Sequence, residues 1–279
     1  MNRSRLAPGA GIVTVPGARP VLRTTDGEFL RIDTGSVDPV DLVDRLTAGE
    51  RRTSSEELDA LVSAFEQAGH AVAEPCRPPL AGRAVHLLGD PVLTEPLSRF
   101  AAAEGAEVHA ATADDMAGLA GERDTAVVWC LDSPVPTGLW DTADRLPDRH
   151  TAWLRCHREG AHAWIEPLAS APGDVTSAHV RLRRLAATAA HGELAAYWAG
   201  HRTPDTGPHP TEPSAALIAA LLTADLIAWA AGEPHQAPGL PPGRRLRRID
   251  LRHLTVTEHP VLPVPEVAPL PVPTTRTAP

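Results

Sequence analysis

The sequence predicts an α/β protein in two unequal parts: a small N-terminal unit of short strands and two helices, then a larger domain of parallel α/β layers. Three observations carry this. At 279 residues the chain exceeds the common size of a single domain. A proline-rich stretch, "EPCRPPLAG" at Glu74 to Gly82, separates two regions of different character. Beyond it, short apolar runs alternate with helical periods, the order that builds parallel sheets.

In the first part, residues 1–75, three strand candidates come first: "GIVTV" (Gly11 to Val15), "PVLRT" (Pro20 to Thr24) and "EFLRID" (Glu28 to Asp33). A Thr-Asp-Gly turn joins the last two as a hairpin. Asp38 can cap "PVDLVDRLT", with Pro39 at the first helical position and Val40, Val43 and Leu46 at helical spacing. Ser54 or Ser55 then caps a last helix reaching Ala68. In it Leu58, Leu61, Val62 and Phe65 form one apolar face and Gly69 supplies the stop. Strands followed by helices in this order make a winged-helix-like pattern.

In the second part, residues 82–265, "RAVHLLG" (Arg83 to Gly89) reads as a buried strand, "PLSRFAAAEG" as a helix, and "AEVHAAT" and "DTAVVWCLD" as strands. "AWLRCHREGAHAWIEPLA" (Ala152 to Ala169) reads as a hairpin. Two helical stretches follow, "AHVRLRRLAATAAHGELAAYWAG" and "PSAALIAALLTADLIAWAAG"; the second, apolar on more than one face, suits a domain core. "RRLRRIDLRHLTVTEHPVL" resumes strand character. Residues 266–279 are proline-rich and are expected to be extended or disordered.

Composition removes several chemistries. The formal net charge of -9 disfavours a polyanion partner, so no nucleic acid is expected, despite the local run at Gly243 to Arg252. The chain contains no lysine, which excludes a P-loop and Schiff-base catalysis; its only asparagine is Asn2, which excludes kinase-type metal binding. No run reaches 18 consecutive apolar residues and the first twenty carry no apolar signal segment. Neither a membrane span nor export is therefore expected, and a cytoplasmic location is. Cys76, Cys130 and Cys156 lie far apart without a CxxC pair, as buried free thiols would.

Motifs for catalysis are missing. In the first strand-turn-helix, "HLLGDPVLTEPLSRF", only Gly89 stands where a nucleotide loop carries two or three glycines, and Pro91, Glu95 and Pro96 add bulk or negative charge near the expected phosphates. There is no GxSxG elbow and no HExxH helix. His157 and His162 flank a turn and read as surface residues, while His150, His179 and His191 are scattered. Trp129, Trp140, Trp153, Trp164, Trp198 and Trp229 read as core or interface packing. No catalytic residue, cofactor or metal is expected.

Taken in order, "AVHLLGDPVLTEPLSRFAAAEGAEV", "AVVWCLDSP", "HTAWLRCHREGAHAWIEPLASAPG", "SAHVRLRRLAA", "ALLTADLIAWAAG" and "RIDLRHLTVTEHPVLPVP" resemble the ocin-ThiF-like proteins. These are relatives of ThiF-type and ubiquitin-activating-type adenylating enzymes that partner YcaO cyclodehydratases in making azole-containing ribosomal peptides. The first part resembles the PqqD-like winged-helix RiPP recognition element that such proteins carry to grip a leader peptide. The resemblance implies a degenerate ThiF-like, doubly wound α/β domain. Zinc-bearing relatives have a CxxC pair after a Pro-Gly turn and another after a His-Pro near the C-terminus. Here, in "PGDVTSAHVRLRR" and "HPVLPVP", those places fall on Ser177, Val180, Leu262 and Pro265, none of which supplies a thiolate.

The resemblance implies a non-catalytic, leader-peptide-binding subunit that presents a precursor peptide to a YcaO-type cyclodehydratase in azoline or thiopeptide-like biosynthesis, as a monomer or homodimer. The leader would add to an open sheet edge beside a helix. The receiving residues would be Glu28, Phe29, Leu30, Arg31, Ile32 and Asp33 of the third strand and Leu58, Leu61, Val62 and Phe65 of the last helix. Leu61 and Phe65 would serve equally well as the small unit's core. Two rivals remain open: a nucleotide-dependent enzyme with a diverged loop, and a structural scaffold whose own N-terminal segment covers that edge.

Overall fold

The computed structural model describes residues 4–15, 19–47, 55–73, 77–232 and 239–265. Ser54, Cys76 and the 266–279 tail lie outside them. The chain divides into two compact units, Met1–Arg77 and Pro78–Pro279.

The first unit begins with β1 (Ser4–Leu6), followed by β2 (Gly11–Val13), β3 (Val21–Arg23) and β4 (Phe29–Arg31), which form a three-stranded antiparallel sheet in the order β2-β3-β4. Helices α1 (Pro39–Thr47) and α2 (Glu56–Gln67) come next, then β5 (Ala71–Ala73), which pairs antiparallel with β1. The β1–β5 ribbon is absent from the sequence reading because three-residue strands are too short to show a period. Asp38 caps α1 through its carboxylate, which accepts the Val40 N–H at 2.9 Å. The buried face of α1 is Leu42 and Leu46, four apart, and not the expected Val40, which is 64% exposed. At α2 it is Ser55 whose hydroxyl accepts from Leu58 N–H, at 3.1 Å, and Gly69, at φ +73°, ends the helix. Leu22, Ile32, Leu42, Leu46, Leu58, Val62, Phe65 and Ala71 make the core of this unit.

The second unit is built on seven strands: β6 (Ala84–Gly89), β7 (Glu107–Ala110), β8 (Thr125–Leu131), β9 (Ala152–Glu159), β10 (His162–Ile165), β11 (Arg245–Asp250) and β12 (Thr255–Pro260). Their order is β12-β11-β10-β9-β8-β6-β7. The β7-β6-β8-β9 half is parallel, as expected, but β10, β11 and β12 are each antiparallel to the strand before. The sheet is therefore mixed and not the doubly wound parallel one. Gly160 and Ala161 turn β9 straight back into β10, and a two-residue turn allows only an antiparallel pair. Strand β8 is buried along nearly its whole length, as a central strand covered on both faces should be.

One face of the sheet is covered by α3 (Pro91–Ala103) and by a later helix, α7 (Glu212–Ala231). Opposite lie the short α4 (Met116–Leu119), two 3₁₀ turns at Ala143–Arg145 and Pro147–Arg149, and a core of Trp129, Trp140 and Trp153. Helices α5 (Ser177–Ala186) and α6 (His191–Trp198) replace the single stretch read from sequence. By length and composition α7 could cross a membrane. Its Ile218, Ala219, Leu222 and Leu226 instead pack fully buried in the core with α3.

Gly89 ends β6 at φ +107°, where a Cβ would stand 1.8 Å from the Cys130 carbonyl oxygen. The glycine is thus required by close approach of β6 to β8. Beside it, Cys130 and Cys156 face each other on β8 and β9 as buried free thiols, and the neighbouring Cys130 and burial push the Cys156 thiol well above its ordinary range.

Candidate functional site

The sequence directs attention to the open edge of β4 in the first unit and to the carboxyl ends of the parallel strands in the second.

At β4 the hairpin fixes which backbone groups are free. Thr24 N–H donates to the Glu28 carbonyl at 2.8 Å and Ile32 N–H to the Pro20 carbonyl at 3.1 Å. Antiparallel alternation therefore turns the backbone groups of Leu30 toward β3 and those of Phe29 and Arg31 outward. No described strand pairs on that side. The first strand pairs with β5, so the described N-terminal segment does not cover the edge. Against the edge lies a cleft of about 230 Å³ lined by Leu22, Leu30, Ile32, Leu61, Ala64, Phe65, Ala68 and His70, with Arg31 and Asp33 at its rim.

Of the ten residues expected here, six line this cleft: Leu30, Arg31, Ile32, Asp33, Leu61 and Phe65. Phe29 lies on the open edge with its ring 63% exposed. Glu28 is a turn residue: its N–H donates to the Thr24 hydroxyl and its carbonyl accepts from Thr24, so neither group is free for an added strand. Leu58 and Val62 are 3% and 4% exposed on the core side of α2, where they pack the unit and do not reach the cleft. The expected apolar face of α2 thus splits in two, because a helix between a sheet and another helix buries one stripe and leaves a second beside it. The second stripe is Leu61, Ala64, Phe65 and Ala68, at i, i+3, i+4 and i+7, of which Phe65, 7% exposed, belongs to the core as well as to the cleft floor. Ala64 and Ala68 were missed because two alanines read as helix formers, when their small size is what leaves room for a ligand.

The carboxyl ends of β6 and β8 are organised differently. Asp90 stands at the N-cap of α3 yet makes no side-chain cap there; its carboxylate accepts the Asp132 N–H at 2.6 Å. Pro91 follows with no N–H to offer. A phosphate at this helix N-terminus would stand beside the negative charge of Asp90 and find no N–H on Pro91. Next to it Arg158, 1% exposed, donates to the carboxylates of Asp132 and Asp205 and, at 3.0 Å, to the Gly160 carbonyl. The exposed His209 closes the group, its Nδ1 2.6 Å from Asp132.

The two hairpin histidines part company. His162 is half-buried beside Arg248, whereas His157, expected at the surface, is buried. Inward-facing positions of a central strand are enclosed whatever their residue. Its Nε2 lies 3.3 Å from Glu159, which also accepts from Arg184 at 2.6 and 3.0 Å and from Trp198 at 2.7 Å. Burial alone would raise the Glu159 carboxyl, but the hydrogen bonds from His157 and Arg184 outweigh it and hold it far below the usual carboxylate range.

Of the four positions compared with a zinc knuckle, Pro265 is exposed and the other three are held by other means. Ser177 donates from its N–H and hydroxyl to Asp144, and Val180 packs with Val175, Leu246 and Val261 in an apolar cluster. Leu262 is exposed, but its carbonyl and that of Pro263 accept from Arg183 at 3.2 and 3.1 Å, which ties the C-terminal segment to α5. Among the described residues no group of three or more His, Cys, Asp or Glu is placed to hold a metal ion.

The sequence matches no protein-family profile and no curated protein. Solved structures do match. A heterocyclase in complex with substrate and cofactor aligns over 94% of this chain and 39% of its own, with a TM-score of 0.68 and 11% identity. The heterocyclase TruD aligns over 94% and 42%, at 0.65 and 14%. A chain of the E. coli microcin synthetase McbBCD complex with pro-MccB17 bound aligns over 94% and 97%, at 0.50 and 12%. The chain spans about two-fifths of each of the two heterocyclases. At these identities the likeness is one of fold, shared by components of peptide heterocyclases.

Proposed function

We propose that this protein is a non-catalytic subunit of a peptide-modifying complex, which binds the leader segment of a ribosomally made precursor and presents its core to a YcaO-type cyclodehydratase forming azolines. The first unit acts as a winged-helix-like, PqqD-type recognition element, and the second as a degenerate ThiF-like domain that docks the partner. The observation that carries the reading is the unpaired edge of β4 beside an apolar cleft, which offers an extended peptide both main-chain partners and side-chain room. The fold shared with heterocyclase structures supports it. So does the nucleotide-type crevice, where the Asp90 carboxylate and Pro91 stand at the helix N-terminus that a phosphate would use. Tethering the leader raises the effective concentration of the core at the partner's active site to the millimolar range for short flexible linkers.

The test is titration of a fluorescently labelled leader of the cognate precursor peptide against the full chain. Saturable binding at or below about ten micromolar is expected. Its absence overturns the reading. A calorimetric titration with ATP and Mg²⁺ separates the enzymatic rival, which requires heat of binding at the Gly89 crevice.

A further inference from the structure

We propose that the β4 edge selects extended peptides in which one acidic residue stands between two bulky aliphatic ones. This rests on the peptide-docking reading of the groove and adds which side chains it accepts.

The pleat decides the pattern. Leu22, Leu30 and Ile32 point toward α2, whereas Val21, Arg23, Phe29 and Arg31 share the opposite face of the sheet. Because the free backbone groups of β4 belong to Phe29 and Arg31, a peptide residue paired with Arg31 has its side chain on Arg31's face. Its two neighbours then point the other way, into the cleft over Leu30, Ile32, Leu61, Ala64 and Ala68. Leu30 is 42% exposed for want of a cover, and the alanines leave the volume that an aliphatic side chain fills.

The charge on the outer face is one-sided. Arg31 has no acidic partner among the described residues, and Arg23 meets only the Gly9 carbonyl, at 3.4 Å. The nearby Asp33 is engaged by Arg19 at 3.3 Å. Arg19, Arg23 and Arg31 are matched in number by Asp26, Glu28 and Asp33, but among the described residues Arg31 pairs with none of them, and a carboxylate directly opposite Arg31 is its complement. Addition of the peptide in either direction leaves the pattern unchanged, since the acidic residue is the central one.

Three labelled decapeptides with identical serine-glycine flanks test the proposal on the full chain, differing only in a leucine-aspartate-leucine, leucine-lysine-leucine or serine-aspartate-serine core. The first is expected to bind about fivefold tighter than the second and at least about tenfold tighter than the third. In the Arg31→Glu variant the order of the aspartate and lysine cores reverses, an outcome that a purely structural role of Arg31 does not produce. Equal affinities for all three cores, abolished by Ala64→Trp at the exposed cleft wall, overturn the side-chain proposal and leave the groove as a peptide site. Binding that Ala64→Trp leaves untouched overturns both.

Discussion

The β4 groove and the β6–β8 crevice differ in what their polar groups already do. At the groove, backbone groups of Phe29 and Arg31 and the Arg31 cation have no partner among the described residues, and an apolar cleft stands beside them. In the crevice the corresponding groups are satisfied from within: Asp90 takes the Asp132 N–H, and Arg158 is enclosed by Asp132, Asp205 and the Gly160 carbonyl. Unsatisfied groups at a surface invite a partner, whereas a saturated network resists one. The contrast leaves the groove with open backbone and apolar surface and makes the crevice a structural joint.

Substitution at the joint should have the largest effect. Gly89→Ala forces a Cβ into the Cys130 carbonyl at a φ that alanine rarely adopts, and is expected to cost about 4 kcal/mol, lowering the melting temperature by about 10 °C. All six tryptophans lie in the second unit, so their fluorescence reads this loss without interference from the first. A near-neutral result would remove the close-approach explanation of the glycine.

Arg158→Ala comes next, at about 3 kcal/mol in denaturant titration, because it takes the buried cation from between Asp132 and Asp205 and leaves them only His209 and the Gly207 N–H. An unchanged midpoint would mean that the network is surface decoration.

Acid should then separate the two units. Glu159 has a depressed folded-state pKa, so its contribution is complete above the unfolded value near 4.3 and is lost as pH falls below it. Tryptophan-monitored stability of the second unit is expected to drop by on the order of 2 kcal/mol below about pH 4. Glu159→Gln should flatten that dependence, and an equally steep curve in this variant would place the acid sensitivity elsewhere.

The smallest effect on stability, and the most telling for binding, belongs to Arg31→Pro. It removes an N–H that points away from β3, so the fold should survive while leader affinity falls about tenfold. Leu30→Pro, one residue away, removes an N–H paired with β3 and should unfold the hairpin. Equal effects of the two would contradict the assigned alternation.

Much of the local structure was legible because it is written in adjacent residues. Asp38-Pro39 before α1, Ser55 and Gly69 at the ends of α2, and the Gly160 turn between β9 and β10 each act within a few positions. The groove was legible in part, since Leu61 and Phe65 show helical spacing whether they face solvent or core. Which flank of α2 is buried depends on what packs against it, and so Leu58 and Val62 were assigned to the cleft when they belong to the core. His157 escaped for the same reason, as a hairpin residue enclosed by strands and helices distant in sequence.

The sequence by itself determined the alternation of strands and helices, the break between two units and the chemistries that a chain without lysine cannot perform. Those properties follow from residue type and short-range spacing. Only the tertiary structure decided that the edge of β4 stays open, that β11 joins the sheet beside β10, and that Asp90 reaches across to Asp132 just past β8. Each depends on which backbone groups already have partners, and that is set by contacts between residues tens of positions apart.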